Sequence, residues 1–79
     1  MGRLQHLAIN EEGFIFDPLT GESFTTNKTG VFILKRLQEG KSEEQILKEL
    51  MEEFDVSKET AERDLIDFIQ KLKSFNLLQ

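Results

Sequence analysis

Residues 14–25, FIFDPLTGESFT, combine two short apolar runs with a turn between them. Phe14 and Phe16 share one face of the first run, because successive side chains of a strand alternate between its two faces. The turn, DPLTG, has a proline that fixes φ, an aspartate that can bond the backbone ahead, and a glycine that tolerates positive φ. The second run sets Phe24 opposite to its two neighbours. We therefore predict two antiparallel strands joined by a tight turn.

A third strand is predicted before this pair. The run LQHLAI (residues 4–9) is short and mostly apolar, and it is followed by the turn-forming residues NEEG. Three short strands separated by tight turns predict an antiparallel meander. No strand-like run follows Thr25, so we expect one edge of the last strand to lack a partner.

The hydrophobic period becomes helical from residue 26 onward. Thr26 or Asn27 is a candidate N-cap for a first helix, and Gly40 stands where a helix commonly ends. SEEQ, from Ser42, is a capping box for a second helix, and Ser57 is a candidate cap for a third. We predict one α+β domain over residues 1–79, in the order βββααα. The apolar faces of the second and third helices are Ile46, Leu47, Leu50, Met51 and Phe54, and Ala61, Leu65, Phe68, Leu72 and Phe75.

Composition excludes most chemistries. The chain has 79 residues, no cysteine and one histidine, His6, so disulfides, thiolate catalysis and Cys/His metal sites are not expected. No glycine-rich nucleotide motif is present, and we predict no cofactor, no metal and no enzymatic activity. No apolar run approaches the roughly 18 residues of a membrane span, and the N-terminus lacks a signal-peptide core. We therefore expect a cytoplasmic protein without a membrane partner.

The charge distribution disfavours nucleic acid as a partner. The net charge is −5, and residues 42–55 carry six acidic side chains against one lysine. Nucleic-acid binding draws much of its affinity from cations that neutralise phosphates, and this chain offers no basic patch. A basic or partly basic peptide is the more natural partner.

One flank of the third predicted helix is neither fully apolar nor fully polar. On a helical wheel Ile66 lies well off the core seam that contains Phe68, and Ile69 lies at the margin of that seam. Two interpretations stay open: these isoleucines pack on the sheet, or they line a groove between the third helix and the open third strand.

Five segments occur in an order and at spacings that resemble a known family. Their shared pattern is an Asn-x-Thr-Gly start to a helix, a Gly-x-Ser break, and a last helix that ends in two leucines. The segments are residues 20–34 (TGESFTTNKTGVFIL), 40–44 (GKSEE), 53–56 (EFDV), 61–65 (AERDL) and 77–78 (LL). On these residues the chain resembles the PqqD-like family over about residues 5–78.

The resemblance implies a winged-helix-like fold and a non-catalytic function in peptide binding. Members and their relatives, the RiPP recognition elements, bind the leader of a ribosomally synthesised precursor peptide and present it to a modifying enzyme, often a radical S-adenosylmethionine (SAM) enzyme. The leader adds a strand to the third strand and lies against the third helix. We thus expect Phe24→Pro to abolish binding. Carried onto this chain, the resemblance implies a strand edge at Glu22, Ser23, Phe24 and Thr25, and a groove wall at Arg63, Ile66, Ile69, Gln70 and Lys73.

Two other functions remain open on the sequence. A winged-helix DNA-binding transcriptional regulator fits the topology, although residues 58–67 of the would-be recognition helix carry two cations and four anions. A structural domain that pairs its open strand with a second copy fits the unpaired edge. We expect a monomer, with a weak dimer through the open strand as the alternative.

Overall fold

The computed structural model describes residues 3–78 and confirms the predicted α+β, winged-helix-like order βββααα. A short 3₁₀ helix precedes the first strand. The elements are the 3₁₀ helix Arg3–His6, β1 (Ala8–Ile9), β2 (Phe14–Phe16), β3 (Ser23–Thr25), α1 (Lys28–Gln38), α2 (Glu43–Phe54) and α3 (Lys58–Ser74).

The strand predicted at residues 4–9 is wrong in its first half. Leu4 and Leu7 are both buried, at 6% and 5% exposure. A strand would point residues three apart to opposite faces, whereas a 3₁₀ turn brings them to the same side. The Gln38 side-chain amide donates hydrogen bonds to the carbonyls of Leu4 (2.6 Å) and Leu7 (3.1 Å), which ties this turn to α1. His6 is therefore an exposed residue of a helical turn rather than of a strand.

The sheet is an antiparallel meander with the order β1-β2-β3. Ile15 is fully buried and is paired with Ile9 on one side and Phe24 on the other, so these three form the face that meets the helices. Phe14 and Phe16 project from the opposite face and are 59% and 46% exposed. The period-two pattern of the sequence is thus confirmed, and burial distinguishes the two faces.

The predicted turn between β2 and β3 forms around Asp17. Its carboxylate accepts a hydrogen bond from the Leu19 N–H (2.9 Å), and its carbonyl accepts one from the Gly21 N–H (2.8 Å). Gly21 has φ +79°, a conformation that suits glycine. The Asp17 N–H donates to the Glu22 carbonyl (2.8 Å), which holds the start of β3 against β2.

The helix caps follow the sequence signals. Asn27, rather than Thr26, caps α1 by accepting a hydrogen bond from the Gly30 N–H (2.9 Å). Ser42 forms the predicted capping box with Gln45, and Ser57 caps α3.

No helix within residues 3–78 is both long and apolar enough to cross a bilayer. The side chains at the centre of the core are Ile15, Ile33, Leu34, Ile46, Leu50 and Leu72.

Candidate functional site

The outer edge of β3 is the first element of the candidate site. In an antiparallel pair, residues alternate between hydrogen-bonded and non-hydrogen-bonded positions. The bonds from Asp17 N–H to the Glu22 carbonyl and from Thr26 N–H to the Gly13 carbonyl fix the phase of this alternation. The backbone groups of Ser23 and Thr25 therefore point away from β2, toward the open edge.

This phase divides the four predicted edge residues into two pairs. Ser23 and Thr25 are exposed and offer outward N–H and carbonyl groups. Glu22 and Phe24 direct their backbone groups toward β2, and Phe24 supplies a half-buried ring on the helix side. Because the Phe24 N–H faces β2, Phe24→Pro would disrupt the pairing of β3 with β2. A block at the open edge is therefore the wrong reason for the expected loss of binding, and the loss itself stays a prediction.

A cleft of about 230 Å³ lies beside the C-terminal end of β3, between the start of α1 and one side of α3. The wall formed by α3 mixes two carboxylates, one ammonium group and an aromatic ring. This cleft can therefore contact both charged and apolar side chains of an adjacent strand. Its lining residues are Thr26, Asn27, Thr29, Gly30 and Ile33 on one side, and Asp64, Asp67, Phe68 and Lys71 on α3.

An aromatic stack forms a second hollow at the other end of β3. The rings of Phe24 and Phe75 lie 4.8 Å apart between centroids, at an interplanar angle of 22°. Together with Leu77 they form the apolar part of a hollow of about 190 Å³, and Asp17, Glu22 and Ser23 complete it. The hollow suits an apolar side chain, with an acidic group at its rim.

Lys71 connects α3 to the strand edge. Its ammonium group donates a hydrogen bond to the Thr25 carbonyl (2.9 Å) and lies 5.6 Å from the centroid of the Phe24 ring. Lys71 is not among the site residues predicted from the sequence. A signal was available, because Lys71 lies three residues after Phe68 and hence about 60° from the core seam on a helix.

The five predicted groove residues of α3 lie elsewhere. Ile66 is 54% exposed and lines a separate hollow between α2 and α3, where Glu62 is also found. Ile69 packs at the edge of the core. Position 66 is about 200° around the helix from Asp64, so the two cannot share a cleft. The remaining three, Arg63, Gln70 and Lys73, are exposed, and none of the five lines the cleft or the aromatic hollow. Peptide contact by these residues stays a prediction.

Charged side chains outside the candidate site form ion pairs that link elements of the fold. Glu49 of α2 accepts hydrogen bonds from Lys41 (2.8 Å) and Arg36 (3.2 Å). The Lys41 ammonium holds the pKa of the Glu49 carboxyl below its ordinary value, and Arg36 acts in the same direction against partial desolvation. This network joins α1 to α2. The part of the chain that the structure describes contains no group of three or more His, Asp or Glu side chains arranged to hold a metal ion.

Two solved structures share this architecture. One, described as TbiB1 in complex with the TbiA(beta) leader peptide, has a TM-score of 0.79 and 32% identity, covering 92% of this chain and 86% of that one. The other, described as lasso peptide synthetase B1 complexed with the leader peptide, has a TM-score of 0.72 and 30% identity, covering 86% and 81%.

The sequence also matches a family profile. No curated protein matches the chain, but the profile described as coenzyme PQQ synthesis protein D (PqqD) matches residues 12–78. That range includes β2, β3 and all three helices, and with them the open strand edge and the cleft beside it. The chain therefore belongs to the PqqD family.

Proposed function

We propose that this protein is a non-catalytic module that binds the leader of a ribosomally synthesised precursor peptide and presents it to a modifying enzyme. The observation that carries the proposal is the outer edge of β3 at Ser23 and Thr25, which pairs with no other strand among residues 3–78 and lies beside a cleft on α3. The two solved structures similar to this chain are described as complexes with leader peptides, which supports the same conclusion.

The register of β3 specifies how a guest strand would pair. In an antiparallel arrangement, two peptide residues that are two positions apart pair with Thr25 and Ser23. The peptide residue between them lies opposite Phe24 and points toward α3, because paired side chains share a face. The inward side chains on either side of it reach the cleft at Thr26 and the hollow at Glu22. Main-chain bonds then supply affinity, and these two recesses supply selectivity.

The remaining partners follow from this function. A modifying enzyme, such as a radical SAM enzyme, receives the presented peptide, and the site needs no cofactor of its own. We further propose a cytoplasmic location, where precursor peptides are synthesised. The protein acts as a monomer, because the edge that would pair with a second copy is the edge that the peptide uses.

A displayed peptide library tests peptide binding directly. Random-sequence peptides on phage are selected against the full chain, and an enriched peptide is synthesised and titrated into the isotopically labelled protein. We expect the amide resonances of Ser23, Thr25 and residues 64–71 to shift. Duplex DNA at low salt is the control titration, and saturable DNA binding with no enriched peptide would overturn the proposal in favour of a regulator.

A scan with N-methylated peptides tests strand addition. Methylation removes a backbone donor, so it should abolish binding only at the peptide positions whose N–H groups face β3. Those positions alternate along a strand. We therefore expect losses at every second position within the paired segment and near-normal binding between them. Uniform losses, or none, would contradict a strand-addition mechanism even if the peptide binds.

A further inference from the structure

The Lys71 side chain is hydrogen-bonded to a backbone carbonyl that a guest strand would use for pairing. The Thr25 carbonyl points to the open edge of the sheet, and it accepts a hydrogen bond from the Lys71 ammonium at 2.9 Å. Natural sheets commonly protect open edges with lysine, because a charged side chain discourages pairing with another chain. The contact spans 46 positions of sequence, so the tertiary fold creates it.

We propose that Lys71 is a clasp, by which we mean a side chain that reversibly covers the peptide-binding edge of β3. In the closed state its ammonium group bonds the Thr25 carbonyl, as the structure shows. In the open state the peptide N–H takes that carbonyl and Lys71 turns to the Asp67 carboxylate. The peptide half of this inference rests on the proposed function. A carbonyl oxygen can accept two hydrogen bonds, so the clasp weakens peptide pairing rather than blocking it.

Asp67 is placed to receive the released ammonium group. It lies four residues before Lys71 on α3 and lines the same cleft. An acidic residue four positions N-terminal to a lysine is the favourable order for an ion pair on a helix. The ion pairs found among residues 3–78 involve Lys35, Arg36 and Lys41 but leave Asp67 without one. The open state therefore gains a contact that the closed state lacks.

The clasp predicts opposite effects on peptide affinity for substitutions of Lys71 and of Asp67. Lys71→Met keeps much of the aliphatic stem and removes the donor, so it should tighten peptide binding about threefold to fivefold. Asp67→Asn destabilises the open state and should weaken binding about twofold. In the Lys71→Met background Asp67→Asn should have a smaller effect than in the wild-type chain, since the part of its effect that depends on the lysine is gone; any direct contact between the cleft carboxylate and the peptide is common to both backgrounds.

Calorimetric titration of these variants with one synthetic peptide enriched from the phage library tests the clasp. Lys48→Met is the matched control, because Lys48 is exposed on α2 and lines neither the cleft nor the aromatic hollow, so the substitution removes the same charge outside the candidate site. Thermal melts confirm that each variant folds. Unchanged or weaker binding by folded Lys71→Met, or additive effects in the double variant, would overturn the clasp while leaving peptide binding intact.

Self-association distinguishes failure of the clasp from failure of the proposed function. If the wild-type chain binds no selected peptide, the proposed function fails, and the clasp is judged by sedimentation at high protein concentration. Lys71→Met should then dimerise more strongly than wild type and Lys48→Met, with amide shifts at Ser23 and Thr25. A Lys71→Met variant that stays as monomeric as the control would overturn the clasp as well.

Discussion

Gly30→Ala gives the sharpest test of the packing beneath the cleft. Gly30 is the third residue of α1, and it is buried. In an unobstructed helix, replacing glycine by alanine stabilises by about 0.5–1 kcal/mol. Here a Cβ atom would lie 2.9 Å from an edge carbon of the Phe68 ring and would also collide with the Thr26 hydroxyl oxygen. The structure therefore predicts the opposite sign.

The size of the effect follows from these close contacts with Phe68 and Thr26. Overpacking a dense site costs about 1–3 kcal/mol, and after the gain in helix propensity the net destabilisation should be about 1–2 kcal/mol. For a domain of this size each kcal/mol moves the Tm by about 4–8 °C. We thus expect Gly30→Ala to lower the Tm by about 5–15 °C.

Urea unfolding at equilibrium measures this change. Thr26→Ala removes the colliding hydroxyl but leaves the 2.9 Å contacts with the Phe68 ring and with the Cβ atom of residue 26. The double variant should therefore recover part of the lost free energy of unfolding. Gly30→Ala as stable as wild type, or more stable, would refute the close approach of α1 to α3. A double variant without recovery would refute the assignment of the collision to Thr26.

Three further predictions concern the edge, the aromatic hollow and the ion pairs. Ser23→Pro removes an outward N–H and should weaken binding of an enriched peptide at least fivefold by calorimetry while the fold is retained; unchanged affinity would mean that the edge is not used. Phe75→Ala removes the ring stacked on Phe24, which should cost about 0.5–1.5 kcal/mol beyond the lost buried area in urea unfolding, and it should also weaken peptides that carry an apolar residue opposite Glu22. If stability and affinity both stay at wild-type values, the hollow has no role. The lowered pKa of Glu49 means that its contribution to stability is present above its unfolded pKa of about 4.3 and is lost as the pH falls through the lower folded value. Glu49→Gln should therefore be less stable than wild type near neutral pH, and the difference should shrink as the pH falls below the ordinary glutamate range; a difference that does not shrink in acid would contradict the pairing with Lys41.

The N-terminal segment shows where the sequence pattern was ambiguous. Two leucines three residues apart, Leu4 and Leu7, fit a short apolar strand and a helical turn equally well by composition. Tertiary contacts determine the conformation, because both leucines are buried and the Gln38 side chain donates hydrogen bonds to their carbonyls. An apolar run of this length carries no periodicity that separates the two conformations.

The groove wall shows a different difficulty. The helical wheel correctly separates Ile66 from the core seam, but a wheel has two flanks and does not tell which of them faces the sheet. The structure turns the flank with Asp64, Asp67 and Lys71 toward β3 and α1, and the flank with Ile66 toward α2. Packing of α3 against α1 and α2 determines this rotation.

Local chemistry in the sequence determined the turn at Asp17, the caps at Ser42 and Ser57 and the order of elements, because each depends on neighbouring residues. The order and spacing of the sequence motifs were also sufficient to indicate the PqqD family. The tertiary structure alone decided which backbone groups of β3 remain outward and which lysine reaches them. The hydrogen bond between Lys71 and Thr25 joins residues far apart in the chain, and only the packed core brings them within 2.9 Å.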